Sequence, residues 1–158
     1  RNVPVEVTEA ISPLIVWRKE YRLDSGGAGE YRGGLGQTME LGLLQDAPFA
    51  FSALFDRIDY PPRGRDGGDN GGEGAIYLAS GSRLNGKGTQ TIPRGERVVV
   101  DMPGGGGLGE ARMRDPRRVV DDVRGGLVSA DVARSTYRVA IDDNGDVDEN
   151  VTQKLRAN

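Results

Sequence analysis

Residues 97–109 read RVVVDMPGGGGLG, a β-branched run that passes through one proline into four consecutive glycines. Val98, Val99 and Val100 suit a central strand, because branched side chains pack well on a pleated surface. Gly104, Gly106 and Gly109 then satisfy the G-x-G-x-x-G spacing that cradles a dinucleotide when it follows a strand. That chemistry needs a helix opening inside the motif, so that its first amides face the pyrophosphate. Only six residues separate Gly109 from Pro116, too few for a crossover helix, and no βαβ unit appears elsewhere. The glycine run is therefore read as a loop in a mainly β chain. Its backbone amides could still serve an anion or a carboxylate.

Glycine is the compositional outlier, at 25 of 158 residues, and 17 of these lie in the segments 26–36, 64–74 and 104–109. Strand-like apolar runs separate the segments, which argues for elaborate ordered loops rather than a flexible linker. Residues 14–23 place Trp17, Lys19, Tyr21 and Leu23 opposite Arg18, Glu20 and Arg22, the pattern of a half-buried strand. Met39, Leu41 and Leu43 repeat at period two, as do Phe49, Phe51, Ala53 and Phe55. The Asp46-Ala47-Pro48 turn between them predicts a hairpin. Ala75–Ser80 and Arg97–Met102 are further strands.

Beyond Met102 the pattern turns helical. Asp115 and Pro116 open one short helix that Gly125-Gly126 stop. Ser129 caps a second through Tyr137. Val139–Ile141 reads as a strand meeting the Asn144-Gly145 turn, and 150–158 as a frayed helical tail. The expected fold is mainly β (α+β): an antiparallel sandwich or barrel-like core with long Gly-rich loops and two short C-terminal helices. Residues 1–141 form the expected β-rich domain, with 142–158 as turn and tail.

The bulk numbers exclude several functions. At 16.9 kDa the chain fits one domain. A net charge of −3 gives no general grip on nucleic acid. Cysteine and histidine are both absent, which removes thiol chemistry, the usual general base and the commonest metal ligand. No apolar run reaches membrane-span length, so a soluble, cytoplasmic protein is expected. The first residue is Arg1 rather than Met, consistent with a fragment, a processed chain or an artificially trimmed one.

Asp24-Ser25-Gly26-Gly27 looks like the setting of a serine nucleophile. Without histidine only a lysine could serve as its base, and Lys19 lies six residues away. Asp24 and Ser25 are accordingly expected to cap a glycine turn. Asp56, Asp59, Asp66, Asp69 and Glu73 lack the order of a calcium loop. Asp142, Asn144, Asp146 and Asp148 have alternate spacing, but Gly145 is out of place and Gln153 stands where a bidentate Glu is required. Both are read as solvated turns, and no metal site is expected. Asp56-Arg57 is either an ion pair at the base of its loop or a substrate contact.

In combination, NVPVEVTEAISPL, YRLDSGGAGEYRGGLG, FDRIDYPPRGRDGG, MPGGGGLGEARMRDP and VVDDVRGGLVSADVARSTYRVAI resemble the hydantoinase B/oxoprolinase family from Asn2 to Ile141. The resemblance implies the C-terminal portion of a longer subunit. It also implies a hydantoinase A-type ATP-binding partner and ATP-dependent opening of small cyclic amides such as hydantoins or 5-oxoproline. ATP and a divalent metal are expected in the full complex, with no cofactor held by this chain. The metal ligands would lie in the remaining N-terminal part of the same subunit, and the isolated chain would be inert. Asp24 as orienter, Ser25 as support and Arg32 as anion contact are the expected catalytic residues. Asp56, Arg57 and the amides of Gly104, Gly105, Gly106 and Gly107 are the expected substrate contacts. An acetone or acetophenone carboxylase-type subunit and a non-catalytic assembly module docking the ATP-binding subunit are the alternatives. The sequence departs from the family pattern at Arg138, where glycine is usual, at Glu110-Ala111, where Asp-Pro is usual, and at Arg65, which stands at an apolar position.

Overall fold

The computed structural model describes residues 3–157; Arg1, Asn2 and Asn158, the outer ends of the expected domain and tail, lie outside the described residues. The strands are β1 (Leu14–Tyr21), β2 (Gln37–Leu43), β3 (Phe49–Leu54), β4 (Ala75–Leu78), β5 (Lys87–Ile92) and β6 (Val98–Asp101). The helices are α1 (Val5–Ile11), α2 (Pro116–Arg124), α3 (Ala130–Ser135) and α4 (Glu149–Ala157). Four strands form one antiparallel sheet in the order β1-β2-β6-β4, and β3 pairs with β5 in a second. The mixed, antiparallel architecture agrees with the expected class.

The alternation in residues 49–55 is real, but its partner is not β2. Leu41 of β2 is flanked by Val16 and by Val98, so both edges of that strand are occupied. β3 crosses away and pairs with β5, setting Phe49 opposite Ile92. The predicted hairpin is thereby corrected. β5 had no apolar signature: in KGTQTI only Ile92 is buried. Ile76, Leu78, Val98 and Val100 meet Ala53 and Ile92 in a core completed by Phe49, Phe51, Phe55 and Met102.

β1 also departs from expectation. A bulge between Val16 and Arg18 shifts its register, leaving Trp17 58% and Tyr21 65% exposed. The strand lies at the sheet edge, and α1, whose Val7 and Ile11 stay exposed, packs against that edge. Glu9 Oε1 accepts from the Val16 amide at 2.9 Å and Lys19 Nζ donates to the Val3 carbonyl at 3.2 Å. Capping an edge amide in this way blunts pairing with foreign strands.

A second core gathers Ala28, Val119, Val120, Val128, Ala133, Tyr137 and Val139. Asp115 caps α2, accepting from the Arg117 amide at 2.9 Å, and Ser129 caps α3. α3 stops at Ser135, short of the expected Tyr137. Val139–Ile141 makes a single bridge, Ile141 to Val147, instead of a strand. The tail is the regular helix α4, anchored where Thr152 Oγ1 accepts from the Ala140 amide at 3.0 Å.

Candidate functional site

The three glycine segments meet and weave together through their backbones. Gly27 N–H donates to Gly105 O (2.8 Å), Gly105 to Gly34 O (2.8 Å) and Gly104 to Gly72 O (3.0 Å). Gly72 donates to Ser25 O (2.7 Å), Gly107 to Asp69 O (2.9 Å) and Asp69 to Ala28 O (2.7 Å). Each segment thus bonds to both of the others. Side chains are excluded by distance: a Cβ on Gly104 would stand 1.7 Å from Ser25 O, and one on Gly33 2.0 Å from Gly105 O. The amides of Gly104, Gly105 and Gly107, expected to face a ligand, donate inside this weave.

The expected catalytic residues hold the weave to its surroundings. Ser25 is buried; its hydroxyl donates to Arg22 O at 2.7 Å and accepts from the Gly36 amide at 2.9 Å. Asp24 Oδ1 accepts from the Ser129 amide at 2.8 Å, tying the first loop to the start of α3. The anion that Arg32 contacts is internal: its guanidinium forks onto Asp122 with both contacts at 3.2 Å. Arg114 reaches the same carboxylate at 2.8 Å. Two guanidinium groups therefore share one buried carboxylate close to Tyr137, whose pKa is raised by burial. The Tyr137 hydroxyl faces the Gly29 backbone, but among the described residues it has no hydrogen-bond partner of good geometry.

Asp56 and Arg57 lie elsewhere, on the wall of a cavity of about 650 Å³ between residues 55–60 and 83–87. Asp56 pairs with Lys87 at 2.6 Å, and this hydrogen bond and charge hold its carboxyl below the usual range. Arg57 sits at φ 65°, its carbonyl fixed by the Gly74 amide at 2.9 Å. The structure therefore separates the expected residues into a weave group and a cavity group. A short run joins them, from Gly72, bonded to Ser25, to Gly74, bonded to Arg57.

A polar cluster that sequence reasoning missed lies on the four-stranded sheet. Asp101 accepts from Thr38 Oγ1 at 2.5 Å and from the Tyr77 hydroxyl at 3.2 Å, with Arg22 Nε 3.8 Å away. Burial, helped by Asp101, pushes the Tyr77 phenol up, so Tyr77 remains a neutral donor. The available signal was Asp101 itself, an acid ending a run of three valines. Among the described residues no group of three or more His, Cys, Asp or Glu side chains is placed to hold a metal ion. Asp142 instead folds its own turn, accepting from the amides of Asn144 and Asp146 at 2.9 Å each.

Known proteins resemble this chain in sequence and in fold. Across 97% of its length the chain is 36% identical to the beta subunit of the caprolactamase of Pseudomonas jessenii, covering 28% of that protein. It matches the crystal structure of the ATP-dependent caprolactamase from that organism at 32% identity with a TM-score of 0.80, over 98% of this chain and 28% of that one. The B component of a putative D-/L-hydantoinase from Pseudomonas sp. (strain NS671) is 32% identical over 99% of the chain and 27% of its own. The nucleotide-free structure of an acetone carboxylase shares the fold, with a TM-score of 0.70 at 22% identity, over 98% of this chain and 26% of that one. The chain thus spans somewhat over a quarter of the length of these relatives. Residues 1–111 match the sequence model of hydantoinase B/oxoprolinase, and that match, with the identity to the caprolactamase subunit and the shared fold, places the chain in the hydantoinase B/oxoprolinase family.

Proposed function

We propose that this chain is part of a subunit of an ATP-dependent cyclic-amide hydrolase of the hydantoinase/oxoprolinase type. The observation that carries the reading is agreement with the caprolactamase along nearly the whole chain, in sequence and in structure alike. A hydantoinase A-type partner would bind ATP, and the rest of the subunit would complete the site. A divalent metal, if the complex uses one, has no fitting ligand set among the described residues. Asp24, Ser25 and Arg32 act as positioning residues, locking the first glycine loop onto α3 and α2. Asp56 and Arg57 supply the substrate contact. The compartment is the cytoplasm, where ATP is supplied; among the described residues no helix is long and apolar enough to cross a membrane.

Two other readings have observations in their favour. The likeness to acetone carboxylase favours carboxylation of a ketone. The internally bonded amides of the weave favour an assembly module, and the exposed Trp17, Tyr21 and Leu23 offer it an apolar docking edge. The deciding experiment expresses the subunit with its ATP-binding partner and follows ring opening of caprolactam, hydantoin and 5-oxoproline with and without ATP. Opening of one of these with ATP consumption is expected, and Arg57→Ala should lower kcat/KM about tenfold (~1.4 kcal/mol of transition-state binding). Turnover that requires bicarbonate and a ketone would replace the hydrolase reading with the carboxylase one. Loss of assembly with intact chemistry in loop variants would favour docking.

A further inference from the structure

We propose that the cavity between residues 55–60 and 83–87 binds a small oxyanion, a carboxylate or a phosphate, through Arg57 and Arg83. The charges in this cavity do not cancel. Asp56 and Lys87 neutralise each other at 2.6 Å. What remains on its walls is Arg57 and Arg83 against Asp59 alone. Both guanidinium groups are exposed, and among the described residues neither makes a hydrogen bond or a salt bridge; Arg57 acts on Asp56 through its charge alone. A planar fork of N–H donors left unused in a concave site matches carboxylate and phosphate oxygens in pairs.

The backbone fixes where the Arg57 side chain leaves the main chain. Arg57 holds φ 65°, a left-handed conformation in which glycine would be unstrained. Its carbonyl is held by the Gly74 amide at 2.9 Å, and its neighbour Asp56 by Lys87. Strain kept on the wall of a cavity that a second unpaired arginine also lines fits a binding role for the side chain. The opposite wall is equally set: Phe55 N–H donates to Gly86 O at 2.9 Å, and a Cβ on Gly86 would strike Ile58 Cδ1 at 2.3 Å. Ile58 and Leu84 line the cavity, and Tyr60 stands 79% exposed at its side. These groups suit the apolar body of an organic anion, while the arginines take its charged end.

The inference deepens the substrate contact proposed above, and only the identity of the ligand rests on that reading. The test titrates the full chain with 5-oxoproline, with 2-pyrrolidinone (the same ring without its carboxylate) and with inorganic phosphate, following amide shifts by NMR. Saturable shifts at residues 55–60 and 83–87 are expected with 5-oxoproline, with phosphate or with both. The pattern tells whether carboxylate, phosphate or either oxyanion is accepted. Arg57→Gly, which relieves the backbone strain and keeps the fold, and Arg83→Ala should each weaken binding at least about tenfold, with the effect reduced by salt. Equal binding of 2-pyrrolidinone, no saturable binding of either anion, or full affinity in both variants would overturn the site. Ring opening of neutral lactams by the assembled complex, measured separately, would leave the hydrolase reading standing even if the anion site failed.

Discussion

Arg138 stands at φ 57°, a left-handed conformation suited to the glycine that the family resemblance implies at this position. A left-handed backbone costs a non-glycine residue about 1–2 kcal/mol, partly offset because glycine loses more entropy on folding. Arg138 is exposed, so Arg138→Gly should stabilise the protein by about 0.5–1 kcal/mol, or roughly 1–4 °C in Tm. A thermal melt that falls instead would show that the arginine side chain holds the turn. Arg65, the other basic departure, lies in the weave through its backbone alone: its amide donates to Gly107 O and its carbonyl accepts from Gly109, at 2.9 and 3.0 Å. Side-chain identity there is correspondingly free. Tyr137 carries a pH signature. An unfolded tyrosine loses its proton near pH 10.0, whereas burial raises the folded value. Stability is therefore full below that pH and falls as pH rises through and beyond it, because the unfolded chain then binds fewer protons. Tyr137→Phe removes a buried hydroxyl that lacks a well-formed hydrogen bond, so at pH 8 it should stay within about 1 kcal/mol of the parent. Above pH 10 its urea midpoints should fall less steeply; Tyr77, shifted the same way, contributes to the slope that remains. Identical alkaline slopes in the two proteins would contradict the assignment.

At the scale of elements, alternation located β1, β2 and β3 and a β-branched run located β6, but strand pairing was not written in either. β2 takes β1 and β6 as its neighbours rather than the next strand in sequence. β5 was illegible because a strand of the smaller sheet with one buried residue leaves no alternation. Capping chemistry, by contrast, was local and readable: Asp115, Pro116 and Ser129 all stand where the helices begin. Asp122 could not be found that way, because in a stretch of arginines and aspartates it looks like helix surface until Arg32 arrives from 90 residues away. The weave was visible only as composition, since it is built from backbone and carries no side-chain period. Its glycines differ sharply from one another, which makes a paired prediction possible. A Cβ on Gly104 would stand 1.7 Å from Ser25 O, whereas one on Gly34 would have nothing within 4 Å. Backbone cannot swing aside as a side chain does, so Gly104→Ala should cost about 3 kcal/mol or more. Gly34→Ala should match the parent or gain about 0.5 kcal/mol through the unfolded chain. Urea denaturation followed by far-UV circular dichroism checks the pair; equal losses would mean that close backbone packing does not hold the weave together.

At the scale of the molecule, the weave joins two cores that share no residue. The sandwich core is centred on Ile76, Ile92, Val98 and Val100 and the helical core on Val119, Ala133, Tyr137 and Val139. Ala28 belongs to the helical core and also accepts from Asp69 within the weave at 2.7 Å. β6 runs from the sandwich core directly into Gly104, while Asp122 and Ser129 clamp Arg32 and Asp24 from the helical side. With the connection made by many mutually dependent backbone bonds, neither core can open without stranding buried amides and carbonyls of the other's support. The two cores should consequently unfold as one cooperative unit. Trp17, on β1, is the sole tryptophan and reports on the four-stranded sheet, whereas far-UV circular dichroism weights the helices. Both signals should give the same urea midpoint. Val119→Ala, which empties fully buried volume in the helical core, should cost about 2 kcal/mol and move the two midpoints together. A tryptophan transition left in place while the helical signal shifts would show that the weave is a hinge between independent units. In that case the positioning role assigned to Asp24 and Arg32 would fall as well, because a loop that moves with neither core cannot fix a substrate.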